Sequence, residues 1–86
     1  MEGMEKQLVG KIVHYYTKIG VGVIELSGDL KAGEKISIEG PTTNLQQVVE
    51  SMQIEHQSML SAKSGQAIGL KVSGKAREGD LVYKIG

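Results

Sequence analysis

Glycines, lysines and histidines are the residues whose spacing invites a chemical reading of this chain, and each pattern stops short of a working site. Gly28 and Gly33 stand at the separation of the glycines in a phosphate-binding loop. Such a loop needs a lysine directly after the second glycine and then a hydroxyl residue for magnesium. Here Glu34 takes the lysine position and Ile36 follows Lys35. A carboxylate there repels phosphate, and no helix start follows to supply converging amides, so no nucleotide is expected. Gly20-Val21-Gly22 lacks the third glycine of a dinucleotide fingerprint, because Glu25 stands in its place.

His14 and His56 are the only imidazoles and there is no cysteine. Two histidines without a spacing that brings them to one face do not make a metal site, so neither metal nor cofactor is expected. Ser51, Ser58, Ser61 and Ser64 lie in no nucleophile-elbow context. Glu34, Glu39, Glu50 and Glu55 read as outward strand positions. No catalytic residue emerges, and the expectation is a chain that is not an enzyme.

Ten basic and ten acidic residues cancel over 86 positions, so no long-range field draws polyanions in. One local patch stands out: Lys71, Lys75 and Arg77 come with no acid before Glu78. No apolar run approaches the roughly 20 residues of a membrane span, and the segment from Met1 to Gln7 is polar rather than signal-like. The expectation is one cytoplasmic domain over residues 8–86 behind a polar segment, 1–7. A domain this small buries only about 60 to 65 per cent of its unfolded surface. Without Phe or Trp, its core must come from Ile, Val, Leu and Met.

Those residues sit in short runs separated by glycine. Leu8 to Tyr16 reads as a first strand, with Leu8, Ile12 and Tyr16 on one face. Val21 to Leu26 is a second, and Lys35 to Glu39 alternates with Ile36 and Ile38 inward. Gly40-Pro41-Thr42-Thr43-Asn44 is a loop. From Leu45 to His56, the positions Leu45, Val48, Val49 and Met52 fit either a strand broken by a bulge or a helix capped by Asn44. Gln66 to Val72 and Leu81 to Ile85 complete the set, with Ile68, Leu70, Leu81, Tyr83 and Ile85 expected inward. Gly28, Gly33, Gly65, Gly69 and Gly79 mark turns or tight crossings. The expected fold is all-β, a small closed antiparallel barrel of about six or seven strands, since closure removes exposed edges.

The order of these landmarks, Val9-Gly10-Lys11-Ile12, the Leu26-to-Gly40 turn unit, Val49-Glu50-Ser51-Met52, Gly65-Gln66-Ala67-Ile68-Gly69-Leu70 and Glu78-Gly79-Asp80-Leu81-Val82, resembles the second domain of elongation factor Tu and its relatives. The resemblance covers roughly Val9 to Ile85 and favours strand over helix for Leu45 to His56. It implies a translation-factor-like module that binds RNA or a ribonucleoprotein, with a tRNA end as one candidate ligand. By that resemblance Gln53, His56 and Gln66 form the contact face, with Lys63 or Arg77 supplying charge at the rim; the patch of Lys71, Lys75 and Arg77 speaks for the same RNA-binding reading, against a solvated strand end and turn. The alternative is a protein-interaction adaptor docking on a larger enzyme or GTPase, since the aromatic platforms common in single-strand binders are missing.

Overall fold

An eleven-residue strand, β1 (Lys6–Tyr16), is the spine of the domain in the computed structural model, which describes residues 6–50 and 52–85. After it come β2 (Val21–Leu26), β3 (Leu30–Lys31), β4 (Lys35–Glu39), β5 (Asn44–Val48), β6 (Met52–Ile54), β7 (Gln57–Met59), β8 (Ser61–Ala62), β9 (Ala67–Lys71) and β10 (Leu81–Ile85). Eight form one sheet in the order β5-β4-β10-β1-β2-β9-β6-β7, and β3 pairs with β8. Every pairing is antiparallel. The fold is all-β with no helix among the described residues, and none there is long and apolar enough to cross a membrane. Of the polar segment 1–7, residues 1–5 lie outside the described residues, and Lys6 and Gln7 open β1.

One inner face gathers the core. Val9, Ile12, Ile24, Leu30, Ile36, Ile38, Met52 and Val82 are fully buried, with Ile68 and Leu70 beside them. The strand period puts Ile36 and Ile38 inward as expected. It fails on β1, where Val9 and Ile12 are both buried while Leu8 and Tyr16 are exposed. The register shifts between Leu8 and Gly10 and again between Ile12 and His14, and each bulge inserts a residue that resets the alternation. On β10 the expected phase is reversed: Val82 is buried and Leu81, Tyr83 and Ile85 are only partly covered. Val82 stands opposite Ile38, and directly paired residues share a face, so the partner strand sets the phase.

The expected closed barrel is not formed. Pairing ends at β5 on one side and β7 on the other. Within Leu45 to His56 the described residues form strand rather than helix, as β5 through Val48 and β6 from Met52 to Ile54, with Glu55 and His56 in the turn that follows. After β7 the chain leaves the large sheet to pair β8 with β3, so no backbone ladder returns to β5.

Three turns share one design. In Lys31–Glu34, Lys63–Gln66 and Arg77–Asp80, the fourth residue's N–H donates to the first residue's C=O at 3.2, 3.1 and 3.1 Å. Its side-chain oxygen accepts from the first residue's N–H at 2.7, 2.8 and 2.8 Å. The third residue is glycine each time, with φ of 94°, 93° and 93°, as a type II turn requires. The sequence rule is a basic residue, any residue, glycine, then Glu, Gln or Asp. A Cβ on Gly33 would meet nothing within 4 Å, so Gly33→Val acts through the backbone alone and should cost about 1 to 2 kcal/mol. Equal urea midpoints for the two proteins would contradict this.

On the outer face Lys6 Nζ donates to both Glu39 oxygens at 3.0 Å and lies 5.0 Å from the Tyr83 ring centre. The Ser37 hydroxyl donates to Glu39 Oε2 at 2.8 Å. The Lys6 bond first, and the Ser37 bond second, hold the Glu39 carboxyl below the ordinary glutamate range. A depressed folded value gives stability that is present above that range and lost as pH falls through the lowered value. Acidification should therefore narrow the melting-temperature gap between the wild type and Lys6→Met; an unchanged gap would contradict the assignment.

Candidate functional site

A seam separates the free side of β5 from the segment that leaves β9, and it opens into a cleft of about 370 Å³ lined by Gln47, Val48, Glu50, Lys71, Val72 and Ser73. The Gln47 side chain crosses it. Its Nε2 donates to the Lys71 C=O at 2.9 Å and its Oε1 accepts from the Ser73 N–H at 2.8 Å. A side-chain amide carries the same donor and acceptor as a peptide unit, so Gln47 stands in for one rung of the missing ladder. Further along, Gly74 lies under Leu45, whose Cδ2 would be 2.8 Å from a Cβ at that glycine, and Tyr15 donates its hydroxyl to the Gly74 C=O at 3.2 Å. The result is a polar rim over an apolar floor that includes Leu70, Val72 and the half-exposed Val48.

The residues singled out from sequence lie on several separate elements. Gln53 is exposed on β6, opposite Ser58 and Gly69. His56 occupies the β6–β7 turn. Gln66 is committed to its own turn, where its Oε1 accepts from the Lys63 N–H. Lys63 and Arg77 begin two of the three equivalent turns and are exposed. Lys75 lies in the loop before β10, and only Lys71 lines the cleft. Gly33, Gly65 and Gly79 hold the turns, whereas Gly28 donates to the Val9 C=O at 3.2 Å and Gly69 sits in β9 against Val21. Sequence reasoning passed over two contacts. His14 Nδ1 lies 2.9 Å from Glu78 Oε2, and its ring meets Tyr16 edge-on at 4.3 Å. Among the described residues no three His, Asp or Glu side chains gather where a metal could be held.

Glu55 and His56 join β6 to β7 with φ of 52° and 66°, the two-residue hairpin turn that favours Asn-Gly. Glu55 suits the left-handed region poorly, at a cost of roughly 1 to 2 kcal/mol, and His56 enters it more readily than most side chains but less so than glycine. The double change Glu55→Asn with His56→Gly should raise stability by about 1 to 2 kcal/mol; a loss would show that these side chains hold the turn in another way.

No family model matches the chain. It is 46% identical over 78 residues, 90% of its length, to an uncharacterized protease from Methanocaldococcus jannaschii, and this is 19% of that protein. It is 39% identical over 83 residues to a collagenase from Porphyromonas gingivalis, covering 94% of this chain and 23% of that protein. The chain thus spans about a fifth of the length of the curated relatives it matches. In structure it is similar to the C-terminal domain of a Geobacillus thermoleovorans protein described as a U32 peptidase. The TM-score is 0.85 at 20% identity, covering 91% of each chain. It is also similar to part of the GDP-bound initiation factor aIF5B from Aeropyrum pernix, with a TM-score of 0.61 at 18% identity over 95% of this chain and 14% of that one. At these identities both likenesses concern the fold alone.

These findings correct the resemblance to the elongation factor Tu second-domain family. The sequence relatives are named protease and collagenase, which overturns a translation-linked, RNA-binding role and corrects the expectation of a chain that is not an enzyme. The adaptor alternative gains no support from them either. The error has a physical source: the glycine turns and strand spacing behind the resemblance are fold features, and a translation factor shares this fold at 18% identity.

Proposed function

We propose that this chain is the β-domain of a U32-type peptidase and serves peptide hydrolysis by engaging the polypeptide substrate. The observation that supports it is the 46% identity over 90% of the chain to a protease of which the matching stretch is one part. The likeness to a peptidase's C-terminal domain agrees in fold. In this proposal residues 8–86 act as a single domain with 1–7 as its lead-in, working in the cytoplasm. The cleft at the β5 seam is its contact surface, with Lys71 as the rim cation that the sequence had marked.

The test is a chimera in which this chain replaces the matching 83 residues of the P. gingivalis collagenase. Hydrolysis of denatured collagen by the chimera, the parent and a form lacking the segment should rank the chimera with the parent. A folded chimera no more active than the truncated form would overturn the proposal.

A further inference from the structure

We infer that the free edge of β5 is a strand-addition site for an extended peptide. The inference takes polypeptide as the occupant from the peptidase proposal, but its geometry stands on the backbone alone. Gly40 and Thr43 exchange both hydrogen bonds across their turn, at 2.9 and 3.3 Å, and the Val49 N–H donates to the Glu34 C=O at 2.8 Å. Bonded and non-bonded pairs alternate along an antiparallel ladder. The pairs Ile38–Leu45 and Ile36–Gln47 are therefore the bonded ones, while Asn44, Gln46 and Val48 turn their N–H and C=O groups away from β4. None of those groups has a hydrogen-bond partner among the described residues.

The other edge offers far less. The β6–β7 hairpin closes on the pair Ile54–Gln57 and pairs Met52 with Met59. A two-residue hairpin bonds its closing pair, which leaves only Ser58 facing out. On β5 three alternate residues face out over one uninterrupted register, enough to bind an extended segment of about five residues.

The side chains agree with this. Exposed edges are usually blunted by charge, proline or a bulge. Asn44-Leu45-Gln46-Gln47-Val48 has no charged residue and no proline, and its pairing shows no register shift; β7 at the other edge is also uncharged but only three residues long. The cleft continues from the Val48 end of the edge onto the apolar floor, where a peptide side chain can settle. The Gln47 amide, bonded to Lys71 and Ser73 as a peptide unit would be, occupies part of that line and is displaced when the strand is added. Backbone groups supply the recognition, so a peptide must offer N–H groups at alternate positions, and proline or N-methyl residues there exclude it.

Two probes decide this by NMR titration of the labelled chain: the acetylated, amidated heptapeptide Lys-Val-Thr-Val-Thr-Val-Lys, and the same peptide N-methylated at alternate residues. The expected result is that amide shifts and slowed hydrogen exchange concentrate at Asn44, Gln46 and Val48 with the first probe, and that binding is at least about tenfold weaker with the second. Gln46→Pro removes an edge donor that the β4 pairing does not use and should weaken the first probe similarly; Gln46→Lys does the same by charge and checks that any loss is not misfolding. Equal binding of both probes, shifts confined elsewhere, or no binding up to about 1 mM would overturn the inference. So would a concentration-dependent dimer that protects the same amides, which would assign the edge to a second copy. Peptide binding at this edge together with an inactive collagenase chimera would retire the peptidase proposal and leave the edge site standing; the reverse pair of results would do the opposite.

Discussion

Replacing Gly40 with alanine should cost the domain about 3 kcal/mol. A Cβ at Gly40 would collide with Asp80 Oδ1 and lie 2.7 Å from Asp80 Cγ. That carboxylate has no room to yield. Asp80 is 2% exposed, its Oδ2 accepts from the Arg77 N–H at 2.8 Å, and its C=O accepts from the Ile12 N–H at 2.8 Å. Displacing it opens the turn before β10 and strains the tie to β1. Overpacking costs about 1 to 3 kcal/mol, and a hydrogen bond to a charged group contributes about 1.5 to 3. A domain of this size has only about 4 to 13 kcal/mol in all. Urea unfolding should show a lower midpoint at unchanged slope. In an Asp80→Ala background the same glycine change should cost little, because the colliding group is gone; full additivity would show that the collision is not the cause.

Ile24→Ala should be of similar size, about 3 to 4 kcal/mol. Ile24 is fully buried, directly paired with Ile12 on one side and Ile68 on the other, and its Cγ2 is the atom nearest to where a Gly10 Cβ would stand. The neighbours are β-branched residues on hydrogen-bonded strands, stiff at χ1 and unable to collapse into the space, which places the cost in the upper half of the usual range for such truncations. The melting temperature should fall by roughly 15 to 25 °C. A control tests the phase of β10: Val82→Ala should cost clearly more than Leu81→Ala, and the opposite order would restore the phase read from sequence.

Much of this fold is written locally. The alternation of Ile36 and Ile38 marks β4, and proline with threonines marks the β4–β5 turn, because these signals depend on a residue and its near neighbours. The phase of β1 and β10 was not legible, since two bulges and the pairing of Val82 with Ile38 are contacts between distant segments. Closure failed for the same reason: an alternating strand pattern says that a face is buried but not which edge finds a partner. The turn rule shared by Gly33, Gly65 and Gly79 was present in sequence; what hid it was the fourth residue, whose Glu34, Gln66 and Asp80 side chains reach back to the backbone. The seam was out of reach, because Gln47 on β5 meets Lys71 and Ser73 only after the four strands between β5 and β9 have been arranged.

Steady-state hydrolysis of a denatured polypeptide by the P. gingivalis collagenase, with and without the segment this chain matches, tests most directly whether the domain engages substrate. An interaction made equally in the ground and transition states appears in KM alone. Removing the segment should raise KM by at least about tenfold while kcat stays within about twofold, and the chimera carrying this chain should bring KM back. A fall in kcat at unchanged KM, or no change in either constant, would contradict the account.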